Sequence, residues 1–213
     1  MKNRFSFRLI HLLFVVFFFQ LFISQKSIAQ NFLKRFESID VKNYVFHISV
    51  NDSSNEIIGK AIINIQFKKP LTTLQLDLKN INSDGNGMQV DEVSDGNIKL
   101  DFSHENDQLL LFIDSTKTEE LRNYVIKYHG IPSDGLIIGE NKFGERVFFG
   151  DNWPNRAQHW LPTVDHPSDK ATLEFIVQAP SHYQVVANGL LIEESNYKET
   201  IISHWKTNIP LPT

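Results

Sequence analysis

The chain has 213 residues, no cysteine, and a formal charge of −4 from 21 basic and 25 acidic side chains. Without cysteine there can be no disulfide and no lipid-modified cysteine, so the core alone must hold the fold. The acidic balance argues against nucleic acid or an anionic membrane face as a partner. The length suits one domain that is large enough for a proper core.

Residues 1–29 have the three-part pattern of a secretory signal peptide. A basic start is followed by an apolar run at 9–23, and small residues then lead up to Ala29. The apolar run is shorter than the ~20 residues that a membrane-spanning helix needs. We therefore expect a periplasmic or secreted protein that is cleaved near Ala29 and does not stay inserted in a membrane.

Cleavage near Ala29 would leave residues 30–213 as a single domain. It would remove four basic side chains and no acidic ones, so the formal charge would change from −4 to −8; the four are Lys2, Arg4, Arg8 and Lys26. The more acidic charge strengthens the argument against nucleic acid as a partner.

From Val41 onward the apolar residues recur with the period of two that is typical of β-strands. Turn-forming residues separate the periodic segments, and Asp95-Gly96 is a good hairpin signal. No segment shows a sustained helical period. The strands predicted in this part of the chain are 41–50, 57–67, 73–78, 88–93, 97–102, 108–113 and 123–128.

The last third of the chain continues the same pattern. Residues 171–178 alternate as a half-buried strand does, and two further strands, 184–186 and 190–193, are predicted on either side of the turn at Asn188-Gly189. The fold class we predict is all-β, with a large twisted antiparallel sheet or a sandwich. The segment 104–107 is predicted as a loop between strands.

The stretch 151–175 carries the least ordinary composition of the chain, with two of its three tryptophans. Pro154, Pro162 and Pro167 each fix φ and push the preceding residue towards an extended geometry. The stretch can therefore be neither a helix interior nor a central strand. It is predicted to be a stiff, aromatic loop that leads into the strand at 171–178.

Two groups of side chains on this loop have different expected roles. Trp153, Arg156, His159 and Trp160 are candidates for the wall of a pocket, because a tryptophan ring offers a large apolar face and arginine stacks or pairs. For Trp160 an aromatic latch that seals the loop onto the sheet is an equally good interpretation. The polar set Asp165, His166 and Asp169 is expected to brace the loop, with Lys170 pairing with Asp165.

The chain holds no complete catalytic apparatus. His104-Glu105 begins like the zinc motif H-E-x-x-H, but Gln108 stands in place of the second histidine, and the segment is not helical. There is no G-x-S-x-G elbow, no cysteine nucleophile and no glycine-rich phosphate loop. We expect neither a metal site nor a cofactor in this chain.

Three motifs carry a resemblance to a known family. Residues 160–171 read W-x-P-x-x-D-x-P-x-x-K-A, residues 128–136 read Y-x-G-x-P-x-x-G-L, and Ala187-Asn188-Gly189 is similar to an S-N-G turn. In this order they resemble the N-terminal β domain of the aminopeptidase N family of zinc metallopeptidases, from about Asp40 to the last residue. The resemblance implies a saddle-shaped β domain in which Pro162, Asp165, Pro167, Lys170, Asn188 and Gly189 have structural roles.

The resemblance also explains why the chain has no complete set of catalytic residues. In that family a thermolysin-like domain, carrying G-x-M-E-N and H-E-x-x-H, follows soon after a segment like 208–213 and holds the zinc. This chain would then be inactive alone, with that catalytic domain as its partner, in cis or in trans, and peptides as substrates. A family Gln or Glu that approaches the substrate amine has only a loose match here, at Asp151 and Asn152.

A hypothesis of another class remains open at this point. The chain could be a free-standing exported β module that binds a peptide, a glycan or a protein partner and catalyses nothing. The two hypotheses differ in what the DNA encodes after the codon for Thr213.

Overall fold

The computed structural model describes residues 35–96 and 98–213, and the chain divides into two units, 1–38 and 39–213. Of the first unit, 35–38 are described, and they form a single turn in which the Ser38 N–H donates to the Arg35 carbonyl at 2.9 Å. The expected signal peptide, its cleavage near Ala29 and the start of a domain at residue 30 lie outside the described residues and stay predictions.

The described residues of the second unit form twelve strands and a short 3-10 turn at Ala157–His159. None of the helical segments among the residues described has the length and hydropathy of a membrane span. The strands are β1 (Ile39–Ser49), β2 (Ile57–Phe67), β3 (Thr73–Asp77), β4 (Gly87–Ser94), β5 (Phe102–Glu105), β6 (Gln108–Phe112), β7 (Glu120–Ile131), β8 (Leu136–Glu140), β9 (Arg146–Gly150), β10 (Ala171–Pro180), β11 (Leu190–Tyr197) and β12 (Thr200–Leu211). The all-β prediction is confirmed.

Seven strands make one large sheet in the order β11-β12-β10-β1-β2-β7-β4, beside a three-stranded sheet β3-β6-β5 and the hairpin β8-β9. All neighbours in the large sheet run antiparallel except β1 and β10, which are parallel. The sheet is therefore mixed, where the sequence suggested a purely antiparallel one. Residue alternation is the same in both arrangements, so it could not have revealed this pairing.

Alternation along the central strands separates an inner face from an outward face. In β1 the side chains of Tyr44, Phe46 and Ile48 are buried, and those between them are half-buried. The small sheet contributes Leu74 and Leu76 of β3 to the buried set. The faces predicted from the period of two are thus the faces observed.

Three local predictions differ from the structure. Among the described residues of the expected strand 97–102 only short pieces pair: Lys99 forms an isolated bridge to Ser94, and the Leu100 N–H donates to the Val93 carbonyl at 2.9 Å. A regular strand begins only at Phe102, the first residue of β5. His104 lies in β5 and not in a loop, because the hairpin turns within two residues, Asn106 and Asp107, whose φ values are +53° and +62°. Residues 184–186 form an irregular segment and not a strand.

Candidate functional site: a braced aromatic loop beside an apolar groove

The loop between β9 and β10 is tied to both sheets through its backbone. Thr163 and Asp77 exchange N–H···O bonds of 3.1 and 2.7 Å, and the Val164 N–H donates to the Tyr44 hydroxyl at 3.0 Å. Pro162 is buried beside them. The fixed φ values of the prolines and these bonds both restrict the backbone of the loop.

Asp165 and its neighbours brace the loop. The buried carboxylate of Asp165 accepts the Gln158 N–H at 3.0 Å, and its own N–H donates to the Asp77 carboxylate at 2.9 Å. Asp169 is also buried, and its N–H donates to the His166 carbonyl at 2.9 Å. Pro167 is half-buried and Lys170 is exposed. The arrangement favours the structural interpretation of this set.

Trp160 lies inside the domain. Only 7% of its surface is exposed, its ring stacks on Phe175 at 6.2 Å between centroids with 17° between planes, and its Nε1–H donates to the Asn152 side-chain oxygen at 2.9 Å. The aromatic series continues from Phe175 to Phe46 and Tyr44, each step 5.4 Å. The ring is packed between the loop and β10, as the latch interpretation expects, and it also lines the groove described below, as the pocket-wall interpretation expects.

Trp153 has the opposite environment. It is 73% exposed, the neighbouring Pro154 is exposed as well, and the peptide bond between them is cis. The same loop therefore buries one tryptophan and presents the other to solvent. An exposed patch that includes Trp153 and Pro154 cannot extend to Trp160.

Arg156 connects the polar residues of the loop. Its guanidinium pairs with the Asp151 carboxylate, its Nε–H donates to the Trp153 carbonyl at 2.8 Å, and it lies 3.5 Å from the Asp134 carboxylate. Asp151 and Asn152 thus both serve the loop itself, Asn152 through its bond to Trp160.

The Y-x-G-x-P-x-x-G-L motif ends where the chain touches this loop. Gly135 has φ +74°, and a Cβ placed on it would lie 2.1 Å from the Arg156 carbonyl oxygen. Only glycine allows both the left-handed backbone and this close approach. Gly135 therefore lets the start of β8 pack directly against the loop that carries Trp153.

His159 faces the same segment from the 3-10 turn. Its Nδ1 lies 2.7 Å from the Ser133 hydroxyl. Burial lowers the pKa of His159 below its usual range, although the negative charge of the nearby Asp134 carboxylate acts in the opposite direction. The imidazole is therefore held neutral and hydrogen-bonded at neutral pH.

We expect the free energy of unfolding to fall as the pH drops below about 6.5, the usual histidine pKa. Burial lowers the pKa of His159, and also those of His47 and His104, so the unfolded chain takes up these protons first. Urea titrations between pH 7.5 and 5 measure how steeply the free energy of unfolding depends on pH. The variant His159→Gln should show a weaker dependence. A variant slope equal to that of the wild type would contradict the assignment to His159.

An apolar groove of about 700 Å³ opens beside the loop. Its floor is formed by inner-face side chains of β1 and β10, among them Ile48, Phe175 and Val177, together with Trp160. The hairpin β8-β9 and the irregular segment 183–188 form its walls. At its mouth stand three exposed side chains, Phe149 (61%), Trp153 (73%) and Val186 (72%).

The predicted turn at Asn188-Gly189 ends one wall of this groove. Asn188 contributes to the lining, and Gly189 has φ +101° with the Lys206 carbonyl 2.0 Å from the position of a Cβ. The chain can therefore fold tightly against β12 only with glycine here, which fits the structural role expected for this pair.

The described residues contain no group of three or more His, Cys, Asp or Glu side chains placed to hold a metal ion. The His104 Nε2 lies 3.0 Å from the Leu78 carbonyl, and Asp107 pairs with Lys79 at 2.8 Å. These side chains join the β5-β6 hairpin to the segment after β3.

Fold and site together define an all-β domain in which a braced aromatic loop lies beside an apolar groove. Residues 40–213 match the family model described as the peptidase M1 N-terminal domain, and the chain belongs to that family. The motif-based resemblance is thereby confirmed. A comparison with curated proteins found no match.

Solved structures agree on the fold. The M1 zinc metallopeptidase of Deinococcus radiodurans is 21% identical with a TM-score of 0.70, over 83% of this chain and 40% of that one. A mutant of that enzyme bound to a Tyr-Ser-Ala substrate is 21% identical with a TM-score of 0.69, over 82% and 40%. Yeast LTA4 hydrolase in complex with bestatin is 20% identical with a TM-score of 0.66, over 83% and 28%. The chain spans less than half the length of these proteins.

Proposed function

We propose that this chain is the non-catalytic N-terminal domain of an exported zinc aminopeptidase-like protein. In this proposal it docks on a thermolysin-like catalytic domain and forms one wall of the peptide-substrate cleft. The observation that carries the proposal is Trp153, an exposed aromatic residue on a rigid loop at the mouth of an apolar groove. Membership of the M1 N-terminal domain family supports it.

The loop has the properties of a docking element. Aromatic side chains dominate the energetics of protein interfaces, and an anchor held rigid before binding loses little entropy when it binds. Trp153 stands between Asn152, which holds Trp160, and Arg156, whose Nε–H holds the Trp153 carbonyl. Phe149 and Val186 widen the apolar surface around it.

Polar groups beside Trp153 would contribute to the cleft wall. The Arg156 guanidinium contacts one oxygen of the partly exposed Asp151 carboxylate. The other oxygen would suit the amine of a peptide N-terminus. Arg156 and His159 lie on the same loop. A peptide substrate class is consistent with the Tyr-Ser-Ala ligand of the Deinococcus neighbour. Zinc, in this proposal, belongs to the catalytic domain.

Sequencing the coding DNA beyond the codon for Thr213 tests the proposal. We expect a reading frame that encodes G-x-M-E-N and then H-E-x-x-H, directly or after a frameshift. A stop codon with no such sequence downstream would instead support the alternative, a free-standing exported module that binds a peptide, a glycan or a protein in its groove.

We expect the purified mature chain, residues 30–213, to bind no stoichiometric zinc and to hydrolyse no aminoacyl chromogenic substrate. The residues described offer no cluster of three metal-ligating side chains, and a zinc site needs at least that many from the protein. Metal analysis after dialysis and a chromogenic assay measure this. About one zinc per chain, with activity that a chelator removes, would contradict the expectation.

We expect the purified mature chain, residues 30–213, to self-associate through the surface around Trp153, and Trp153→Ser to reduce this self-association. Exposed apolar patches larger than a few hundred Å² are unusual on monomers. Light scattering over a concentration series measures the effect. Phe143→Ser is the matched control, because Phe143 is equally exposed but lies on the β8-β9 turn outside the groove lining. A wild-type chain that stays monomeric would contradict the docking role of this surface.

A further inference from the structure

The strand β11 forms a free edge of the seven-stranded sheet. It pairs with β12 on one side, and in the described part of the chain no strand or isolated bridge lies on its other side. We call its eight residues, Leu190–Tyr197, the β11 edge. A free edge presents a row of unpaired backbone N–H and C=O groups to solvent.

The other edges of the three sheets are covered or shorter. At the opposite end of the large sheet, isolated bridges join Met88 to Asn80 and Ser94 to Lys99, so both ends of β4 are covered. Strands β3, β5, β8 and β9 have only four or five residues each. Among residues 35–96 and 98–213, the β11 edge is thus the longest stretch of uncovered strand.

The β11 edge lacks most of the features that keep edge strands from pairing. Natural edges carry lysine, proline or a bulge, and this strand has neither lysine nor proline. Its bulge lies near one end, between Leu191 and Glu193, and the rest of the strand pairs regularly with β12. None of its residues lines the apolar groove. Its exposed apolar side chains include Leu190 (74%), Ile192 (54%) and Tyr197 (62%).

The β11 edge carries a negative charge on both faces of the strand. Glu193 is in register with His204 on the outward face, and Glu194 is in register with Ser203 on the inner face. Both glutamates are exposed. They accept hydrogen bonds from hydroxyls, Glu193 from Ser195 at 3.2 Å and Glu194 from Ser203 at 3.0 Å. Within the described residues, neither carboxylate pairs with a cation.

Neighbouring basic groups do not cancel this negative charge. Lys206 and His204 of β12 lie beside the edge, and both contact the Glu174 carboxylate, at 2.9 and 3.0 Å. Lys198 lies on the turn that follows β11, next to the exposed Glu199. The edge and its surroundings therefore have an excess of glutamate, and an excess of negative charge attracts a basic partner.

A second copy of the chain is a poor occupant for this edge. Two β11 strands that pair antiparallel along their whole length place Glu193 of each opposite Glu194 of the other, because the centre of Leu190–Tyr197 falls between these two residues. Like charges directly opposite destabilise a sheet. The edge therefore favours a strand that has positive charge near its centre.

We propose that the β11 edge binds an extended basic segment of a partner protein, which adds a further strand to the sheet. The segment carries Lys or Arg between apolar residues, with a cation on each face of its strand. Its backbone pairs with the open N–H and C=O groups of β11 and provides affinity, and its cations meet Glu193 and Glu194 and provide specificity. Its apolar side chains cover the exposed Leu190, Ile192 and Tyr197.

The peptide Lys-Val-Thr-Lys-Val-Thr-Lys tests the proposal on the purified mature chain. Alternation in a strand places its lysines on both faces. We expect the labelled peptide to bind in a fluorescence anisotropy titration and to slow hydrogen exchange of the backbone amides in 190–197. Two comparison peptides should not bind. One has glutamate in place of lysine, and the other has proline in place of valine, which keeps the charge but prevents pairing with a strand.

Variants of the chain assign the binding to the β11 edge. Glu193→Gln/Glu194→Gln should weaken binding about tenfold, which is about 1.4 kcal/mol, because two cross-strand ion pairs are lost. Glu105→Gln/Glu140→Gln removes the same charge from exposed residues of β5 and β8, and should leave the affinity within about twofold. Ile192→Pro should abolish binding, since proline is tolerated at a bulge but hinders pairing with a further strand.

Thermal melts of each variant separate lost binding from lost folding. Both glutamine double variants should keep the midpoint, because they change exposed side chains, so they decide the question even if Ile192→Pro unfolds the chain. The proposal is overturned if the lysine peptide binds no better than the proline peptide, or if the two double variants weaken binding equally. It is also overturned if the peptide does not bind while Ile192→Pro reduces light scattering by the chain alone, since the edge then pairs with a second copy. None of these outcomes depends on a catalytic domain.

Discussion

Replacing Trp160 with alanine is expected to lower the free energy of unfolding by about 3–5 kcal/mol, the range found when a buried large aromatic residue is truncated. The ring is 7% exposed and stacks on Phe175, so its removal leaves a cavity between the loop and β10. The loop also loses the bond from the indole N–H to Asn152. Urea denaturation monitored by circular dichroism measures the change in midpoint at an unchanged slope.

Two further variants locate the source of this loss. Trp160→Phe keeps an aromatic ring against Phe175 but removes the N–H donor, and the lost hydrogen bond should cost about 0.5–1.5 kcal/mol. Trp153→Ala removes an exposed tryptophan from the same loop and should stay within about 0.5 kcal/mol. If Trp160→Ala cost no more than Trp153→Ala, the loop would not be sealed onto the sheet by Trp160.

The two tryptophans show where sequence reasoning succeeds and where it stops. The prolines around Pro162 identify the loop and its stiffness, because they act on the backbone of their own neighbours. Which ring is buried depends on contacts with distant residues, such as Phe175, Asn152 and Gly135. Local pattern therefore leaves open which of Trp153 and Trp160 is buried, and the folded structure decides it.

The strands show the same difference between what local sequence predicts and what only the folded structure shows. Tyr44, Phe46 and Ile48 could be assigned to the buried face from a period of two, since that period is a property of one strand. The parallel pairing of β1 with β10 could not, because alternation carries no information about the neighbour or its direction.

Replacing Gly135 with alanine is expected to cost about 2–5 kcal/mol, because the left-handed backbone costs about 1–2 kcal/mol and overpacking adds about 1–3 kcal/mol. Gly135 has φ +74°, and an added Cβ would lie 2.1 Å from the Arg156 carbonyl oxygen and 3.0 Å from the Trp160 ring. The methyl group would therefore push the loop away from the start of β8. Urea denaturation measures the loss, and trypsin cleavage after Arg156 should become faster as the loop loosens.

Gly144→Ala is the matched control for this prediction. Gly144 has φ +79°, nearly the same backbone as Gly135, but nothing lies within 4 Å of the position of its Cβ. It should show the cost of the left-handed backbone alone, about 1–2 kcal/mol, and no faster cleavage after Arg156. The difference between the two variants then measures the close contact of Gly135 with the loop at Arg156 and Trp160. Equal losses, with unchanged cleavage in both, would mean that the glycine serves only its own turn and does not position the loop that carries Trp153.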